Sequence, residues 1–253
     1  MPKFGPLLSP RLTAWTALAE PLGVQCGVVV QTSFMGVDNS RLEQEFRAHP
    51  ERLRGVAVVA PDTGPGELQR LDGLSVRGIR LNLAHTAHDM TPWARAGRLW
   101  DALLALGWDV DLHTDIGALA RVLPQLPSAL PVVIHHMGKP AEARAADPSV
   151  VAALQRARHV AVHVKLSGAY RLGGYDPAAL ARLWLGELGV DGLLWGSDWP
   201  WTNHEHVARY PELLADLREW IREALAGQVL SDNPMSLYWA TGPKTGIEPA
   251  SDA

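Results

Sequence analysis

Side chains suited to acid–base or electrostatic work recur where apolar runs end. In LLWGSDWPW, residues 193–201, an apolar run leads directly into Asp198, with Trp199 and Trp201 beside it. A carboxylate in such a place is costly unless it is paired, coordinated or used as a base. Rings that exclude water would raise its pKa toward the range of a general base; capping the segment after Pro200 is the structural alternative. In VVIHHMGKP (132–140), alternation through Val132 and Ile134 turns His136 inward and His135 outward. His113 ends a third run in the same way. His113, His136 and Asp198 together make either a candidate site for one divalent metal or a metal-free acid–base set. Arg80, Lys139, Lys165 and Arg171 would gather positive charge in an acidic chain. That suits a small anionic substrate such as a carboxylate, unless these cations are spent on Asp109, Asp111 or Asp115. His204-Glu205-His206 has ligand-like spacing but falls in a loop-to-helix region, and reads as solvated surface.

Strands must position these groups. Runs at 27–31, 55–60, 78–83, 108–114, 131–136, 160–167 and 192–198 read as seven strands. Helical patterns fill the intervals at 40–49, 67–74, 96–107, 116–126, 147–158 and 176–189, with a long one at 206–226 and a shorter one after Asn233-Pro234. Asp147-Pro148 and Asp176-Pro177 are cap-plus-proline helix starts. Residues 9–23 are helical in pattern, with no strand. Such alternation implies a parallel α/β sheet. Strands of an open sheet would be almost wholly apolar. Here Asp109, Asp111 and His113, Arg80 and Asn82, and His163, Lys165 and Ser167 fall on one parity, which favours a (β/α)8 barrel with its site at the C-terminal strand ends. Gln31 and Ser33 belong to the same rim. One strand of the eight is missing from the count.

Bulk properties narrow the partners. With 253 residues, 47% of them hydrophobic, the chain suits one domain, read as 1–240 with a loose tail at 241–253. A net charge of −4 gives no reason to expect nucleic acid, and no apolar run is long enough for a membrane span. The single cysteine, Cys26, reads as core and suits a cytoplasmic protein. Ser197 in GSD is not in a nucleophile elbow, and neither HExxH nor paired CxxC occurs.

VVVQTSFMGVDNS (28–40), GVAVVAPD (55–62), RGIRLNL (77–83), VVIHHMGKP, VKLSGAYR (164–171), LLWGSDWPW and SDNPMSLY (231–238) together resemble the amidohydrolase-related TIM-barrel hydrolases. The resemblance runs over roughly residues 8–240 and is greatest to the subgroup containing 2-pyrone-4,6-dicarboxylate lactonase. It implies that Asp198 activates water and His136 polarises the scissile carbonyl. Arg80, Lys139, Tyr170 and Arg171 would hold a carboxylated substrate, with Ser33 and His113 also on the substrate side. Two departures matter. The family opens with a strand ending in HxH, whereas the first histidine here is His49. His135 stands where the family usually has Asp. The expected activity is hydrolysis of a small carboxylated lactone or cyclic ester with no required cofactor; zinc is the alternative. A metal-dependent decarboxylase and a truncated, binding-only barrel are the competing readings, and an open barrel edge would favour a homo-oligomer.

Overall fold

The computed structural model describes residues 12–139 and 161–240. β1 (Gly27–Val30), β2 (Leu53–Ala57), β3 (Val76–Asn82), β4 (Asp109–His113), β5 (Val132–Ile134), β6 (Val162–Leu166) and β7 (Leu193–Trp195) form one parallel sheet in chain order. The helices are α1 (Leu12–Ala19), α2 (Ser40–Ala48), α3 (Pro65–Asp72), α4 (Gly97–Leu106), α5 (Leu119–Val122), α6 (Pro177–Leu188), α7 (Tyr210–Trp220) and α8 (Glu223–Gly227). This is the α/β TIM-barrel type, with seven strands rather than eight among the described residues. The expected helix at 147–158, the Asp147 cap and the tail at 241–253 lie outside the described residues. Asp176 does cap α6, its carboxylate accepting from the Ala178 backbone N–H at 2.9 Å.

Register decides which side chains meet. Gly78, Arg80 and Asn82 stand opposite Asp109, Asp111 and His113. The intervening Ile79, Leu81, Val110 and Leu112 join the large core under the helices, so the polar set faces the barrel interior. Val56, Val133 and Leu194 come from β2, β5 and β7, yet share one small cluster with Leu237 and Tyr238. Strands so distant in the sheet order touch only because the sheet curls. The chain after α8 therefore supplies the barrel floor.

Among the described residues β1 and β7 do not pair, and α1 occupies the seam between them. Trp15 belongs to a cluster with Trp195 of β7 and Tyr210 and Leu214 of α7. Its ring also lies against Gly27 of β1, 3.2 Å from where a Cβ would stand. A helix side chain thus covers both strand edges, in place of backbone hydrogen bonds.

Three expectations need correction. The long helix at 206–226 is two: α7 starts at Tyr210 with Pro211 in its first turn, and Ile221 then takes extended backbone (φ −119°, ψ 166°) as its side chain is buried. The helix at 116–126 is three short turns, with Pro124 withholding a backbone donor from the last. Cys26 is exposed ahead of β1 rather than in the core.

Gly78 has no room for a side chain, because a Cβ would stand 2.0 Å from Asp109 Oδ1 inside the barrel. Gly78→Ala is expected to destabilise the fold by about 1–3 kcal/mol, measured by denaturant unfolding; an unchanged midpoint would show that Asp109 has space to move.

Candidate active site

The turns after β5, β6 and β7 bring the central groups together. Asp198 follows β7 with φ 53°, an uncommon conformation for a non-glycine residue. Its Oδ2 accepts from Tyr170 Oη at 2.8 Å and from Arg171 Nε at 2.5 Å. Arg171 is itself held by Nη2 donating to the Thr202 carbonyl. Asp198 Oδ1 faces His136 Nε2 at 3.7 Å, beyond hydrogen-bond length. On its other side, His136 Nδ1 meets Ser167 Oγ at 3.0 Å. The ring packs so closely on Gly168 (φ 63°) that a Cβ there would lie 2.8 Å from Nδ1.

These contacts reverse the expected effect of the tryptophans on Asp198. Burial does push its carboxyl upward, but His136 and Arg171 outweigh it, aided by the hydrogen bonds from Arg171 and Tyr170. The net pKa lies below the usual carboxylate value. Asp198 is therefore ionised at neutral pH. Burial pushes the His136 imidazole down to about 4 against the pull of Asp198, so it is neutral there.

His135 is the second correction. It faces the interior, where Nε2 donates to Asp111 Oδ2 at 2.5 Å. Lys165 Nζ donates to the same oxygen at 3.2 Å and lies 3.3 Å from His135 Nε2. The register explains the placement: Asp111 stands opposite Val133 and Leu112 opposite Ile134, so His113 and His135 fall side by side. His136 also reaches the bowl because it and Met137 take left-handed backbone (φ 50° and 54°), turning the chain as β5 ends. Burial, with Lys165, pushes His135 down to about 3, against Asp111. Burial raises the Asp111 carboxyl, but Lys165 and His135 outweigh it and hold it below the ordinary range. Lys165 is thus paired internally.

The remaining expected residues divide. His113 is in the cluster, with Nδ1 2.7 Å from Asn82 Oδ1 and its ring edge-on to His136. Burial, and then Arg80, pushes its imidazole down to about 2. Arg80 donates from Nη1 to the Gln31 carbonyl at 2.9 Å, and no carboxylate among the described residues forms an ion pair with it. Lys139, half-buried with φ 27°, follows the β5 turn closely enough to act electrostatically on His113. Ser33 is exposed on a turn after β1 and is not brought to Asp198 by any hydrogen bond. Two further residues are drawn in. His85 lies edge-on to His113 at 5.8 Å, and the ring of His204, expected on the solvated surface, lies tilted against Tyr170 at 4.9 Å. Loop path alone places them, and no periodicity marks either.

The donor set does not fit a divalent metal. Asp198 Oδ2 is occupied by a cation and a phenol, and Arg80 and Arg171 both act on the Asp198–His136 pair. Among the described residues no three His, Cys, Asp or Glu side chains are disposed to hold an ion. Among the described residues, His113, His136 and Asp198 are not disposed to share one ion.

A curled parallel sheet with helices outside and polar side chains gathered at its C-terminal strand ends defines an α/β protein of the TIM-barrel type. The amidohydrolase family model matches residues 11–239, and the chain belongs to that family. It is 32% identical over 243 residues to a 2-pyrone-4,6-dicarboxylate hydrolase of Comamonas testosteroni, covering 88% of this chain and 79% of that one. A crystal structure of a probable 2-pyrone-4,6-dicarboxylic acid hydrolase from Acinetobacter baumannii, with citric acid bound, superposes with a TM-score of 0.80 at 25% identity, covering 94% of this chain and 92% of that one. An amidohydrolase from Burkholderia multivorans with bound zinc shares the fold at a TM-score of 0.69 and 22% identity, covering 90% and 87%.

A methyl group on Gly168 would displace His136. Gly168→Ala is expected to lower kcat about tenfold or more while leaving the thermal midpoint within a few degrees. Steady-state kinetics and a melting curve separate the two effects; a variant with full kcat would show that the position of His136 is not critical.

Proposed function

We propose that the protein is a metal-independent hydrolase of small carboxylated lactones. The observation that carries this reading is the division of Asp198: one oxygen is fixed by Tyr170 and Arg171, and the other is left facing His136 across a gap. A water in contact with Oδ1 loses a proton to Asp198 as its oxygen adds to the lactone carbonyl. With the Ser167 hydroxyl as donor to His136 Nδ1, the imidazole proton would stand on Nε2, aimed at the oxygen where negative charge develops. When the tetrahedral intermediate collapses, the ring C–O bond breaks and the leaving oxygen takes the proton from Asp198. The product is an open-chain acid with one more carboxylate than the substrate.

With a pKa below the usual carboxylate value, Asp198 is a weak base. Its contribution is orientation and charge in a site with little water, together with full ionisation at working pH. Arg80 supplies the substrate's counter-charge. It is half-buried with no internal carboxylate, and its Nε has no hydrogen-bond partner among the described residues. A buried guanidinium in that condition favours a planar carboxylate, which it can engage through two N–H groups. Lys139 adds charge at the rim. The hydrolase names of the relatives, and a 2-pyrone being a six-membered lactone, support this choice of substrate class.

Proton release from a panel of carboxylated lactones tests the assignment. Asp198→Asn is expected to cut kcat about a thousandfold, and Arg80→Ala to raise KM roughly ten- to hundredfold with a smaller effect on kcat. Chelator treatment of the wild type is expected to change neither constant; loss of turnover on chelation, restored by zinc, would refute the metal-free route.

The working forms are neutral His136 and ionised Asp198. Both exist above their folded pKa values and are lost as pH falls through them. Since His136 is held at about 4 and Asp198 below its ordinary value, kcat/KM is expected to stay level through neutral pH and to fall only near 4 or lower. A limb at about pH 6.5, the free-imidazole value, would show that a different histidine controls the rate.

A further inference from the structure

Arg80 and Asp111 face each other across β3 and β4, on the same inner face of the barrel. Opposite charges so placed would ordinarily pair. Here they do not, and the contacts pull them apart from both sides. Gln31 at the end of β1 accepts from Arg80 Nη1 through its carbonyl, and its own side-chain amide is anchored to the Asp38 carbonyl. On the other side, His135 and Lys165 both donate to Asp111 Oδ2, drawing the carboxylate toward β5 and β6. The stem of Lys165 crosses Gly196, where a Cβ would lie 3.1 Å from Lys165 Cδ. Arg80 Nε and Asp111 Oδ1 are both buried with no hydrogen-bond partner among the described residues.

We infer that His135 is a positioning residue that holds Asp111 away from Arg80 and so keeps the Arg80 guanidinium open for a substrate carboxylate. The role rests on the proposed function, since it assumes an anionic substrate. His135 touches no reacting atom. Without its N–H, only Lys165 restrains Asp111, and a turn of the carboxylate toward β3 would let Asp111 occupy Arg80 in place of the substrate. The residue then governs affinity for anions and not the chemical step. An aspartate at 135 would put a second carboxylate against Asp111, where the histidine is a neutral donor instead.

His135→Phe keeps the ring volume and removes both nitrogens; His135→Ala is the second variant should the phenyl ring prevent folding. Either is expected to raise KM for a carboxylated lactone about tenfold with kcat within twofold, and to weaken citrate binding, measured by calorimetry, by a similar factor. The methyl ester of the same lactone, lacking the carboxylate, is expected to keep its kcat/KM. His135→Gln, whose amide can still donate to Asp111, is expected to restore citrate affinity. Asp111→Asn added to His135→Phe is expected to do the same, because an amide cannot neutralise Arg80. Unchanged citrate affinity in His135→Phe or His135→Ala, or loss of kcat on acid and ester alike, would overturn the inference. So would failure of His135→Gln to retain affinity while folded. A wild type that neither binds citrate nor opens a lactone would instead refute the proposed function itself.

Discussion

Asp111 is a carboxylate with no exposure, set in the middle of a barrel, and the polar interior is arranged around satisfying it. A lone ion there would be too costly to persist. Lys165 and His135 each donate to Oδ2, and the glycine at 196 leaves space for the lysine stem. The same demand appears one layer lower, where Gly78 yields its side-chain volume to Asp109. β3 and the segment just after β7 thus give up side chains so that neighbouring strands can carry charge. An interior organised in this way is specific in its pairing but carries little surplus stability, since buried ion pairs roughly repay their own desolvation.

Above that layer the strand ends divide the chemistry among separate turns. Asp198 comes from the end of β7, His136 from β5, and Tyr170 and Arg171 from the turn after β6. Each turn uses left-handed backbone, at Asp198, at His136 and Met137, and at Gly168. That backbone takes the chain off the strand axis at the point where a side chain has to reach the bowl. Such conformations persist because the surroundings over-determine them; here the packing of His136 on Gly168 and the double hydrogen bond to Asp198 serve that purpose.

Seven strands, their parallel order and the inward parity of β3, β4 and β6 were legible in the sequence because side chains alternate with period two. Asp198, His136 and Arg80 were legible as strand-end residues, and Arg171 as a cation near the same rim. His135 was not, and the reason is instructive. Val133 is apolar although it faces inward, so β5 offers no polar–apolar contrast and alternation alone could not choose a face. The register with β4 could. His85 and His204 were beyond reach because loops carry them, and the path of a loop is set by tertiary contacts. The direction of the Asp198 shift failed for a related reason: neighbouring tryptophans are visible in sequence, whereas the arginine and tyrosine that override them come from another strand's turn.

The seam between β1 and β7 has a dynamic consequence. Elsewhere neighbouring strands are joined by a backbone ladder, but within the described residues these two meet through side-chain packing alone, on Trp15 of α1 and on the floor cluster around Leu237 and Tyr238. Side-chain packing opens at lower free energy than a ladder shared with a central strand, so the weakest closure of the barrel lies here. β7 leads directly to Asp198, and β1 ends beside Gln31, whose carbonyl holds Arg80. Breathing at this seam therefore reaches the Asp198 carboxylate and the Arg80 guanidinium at the same moment.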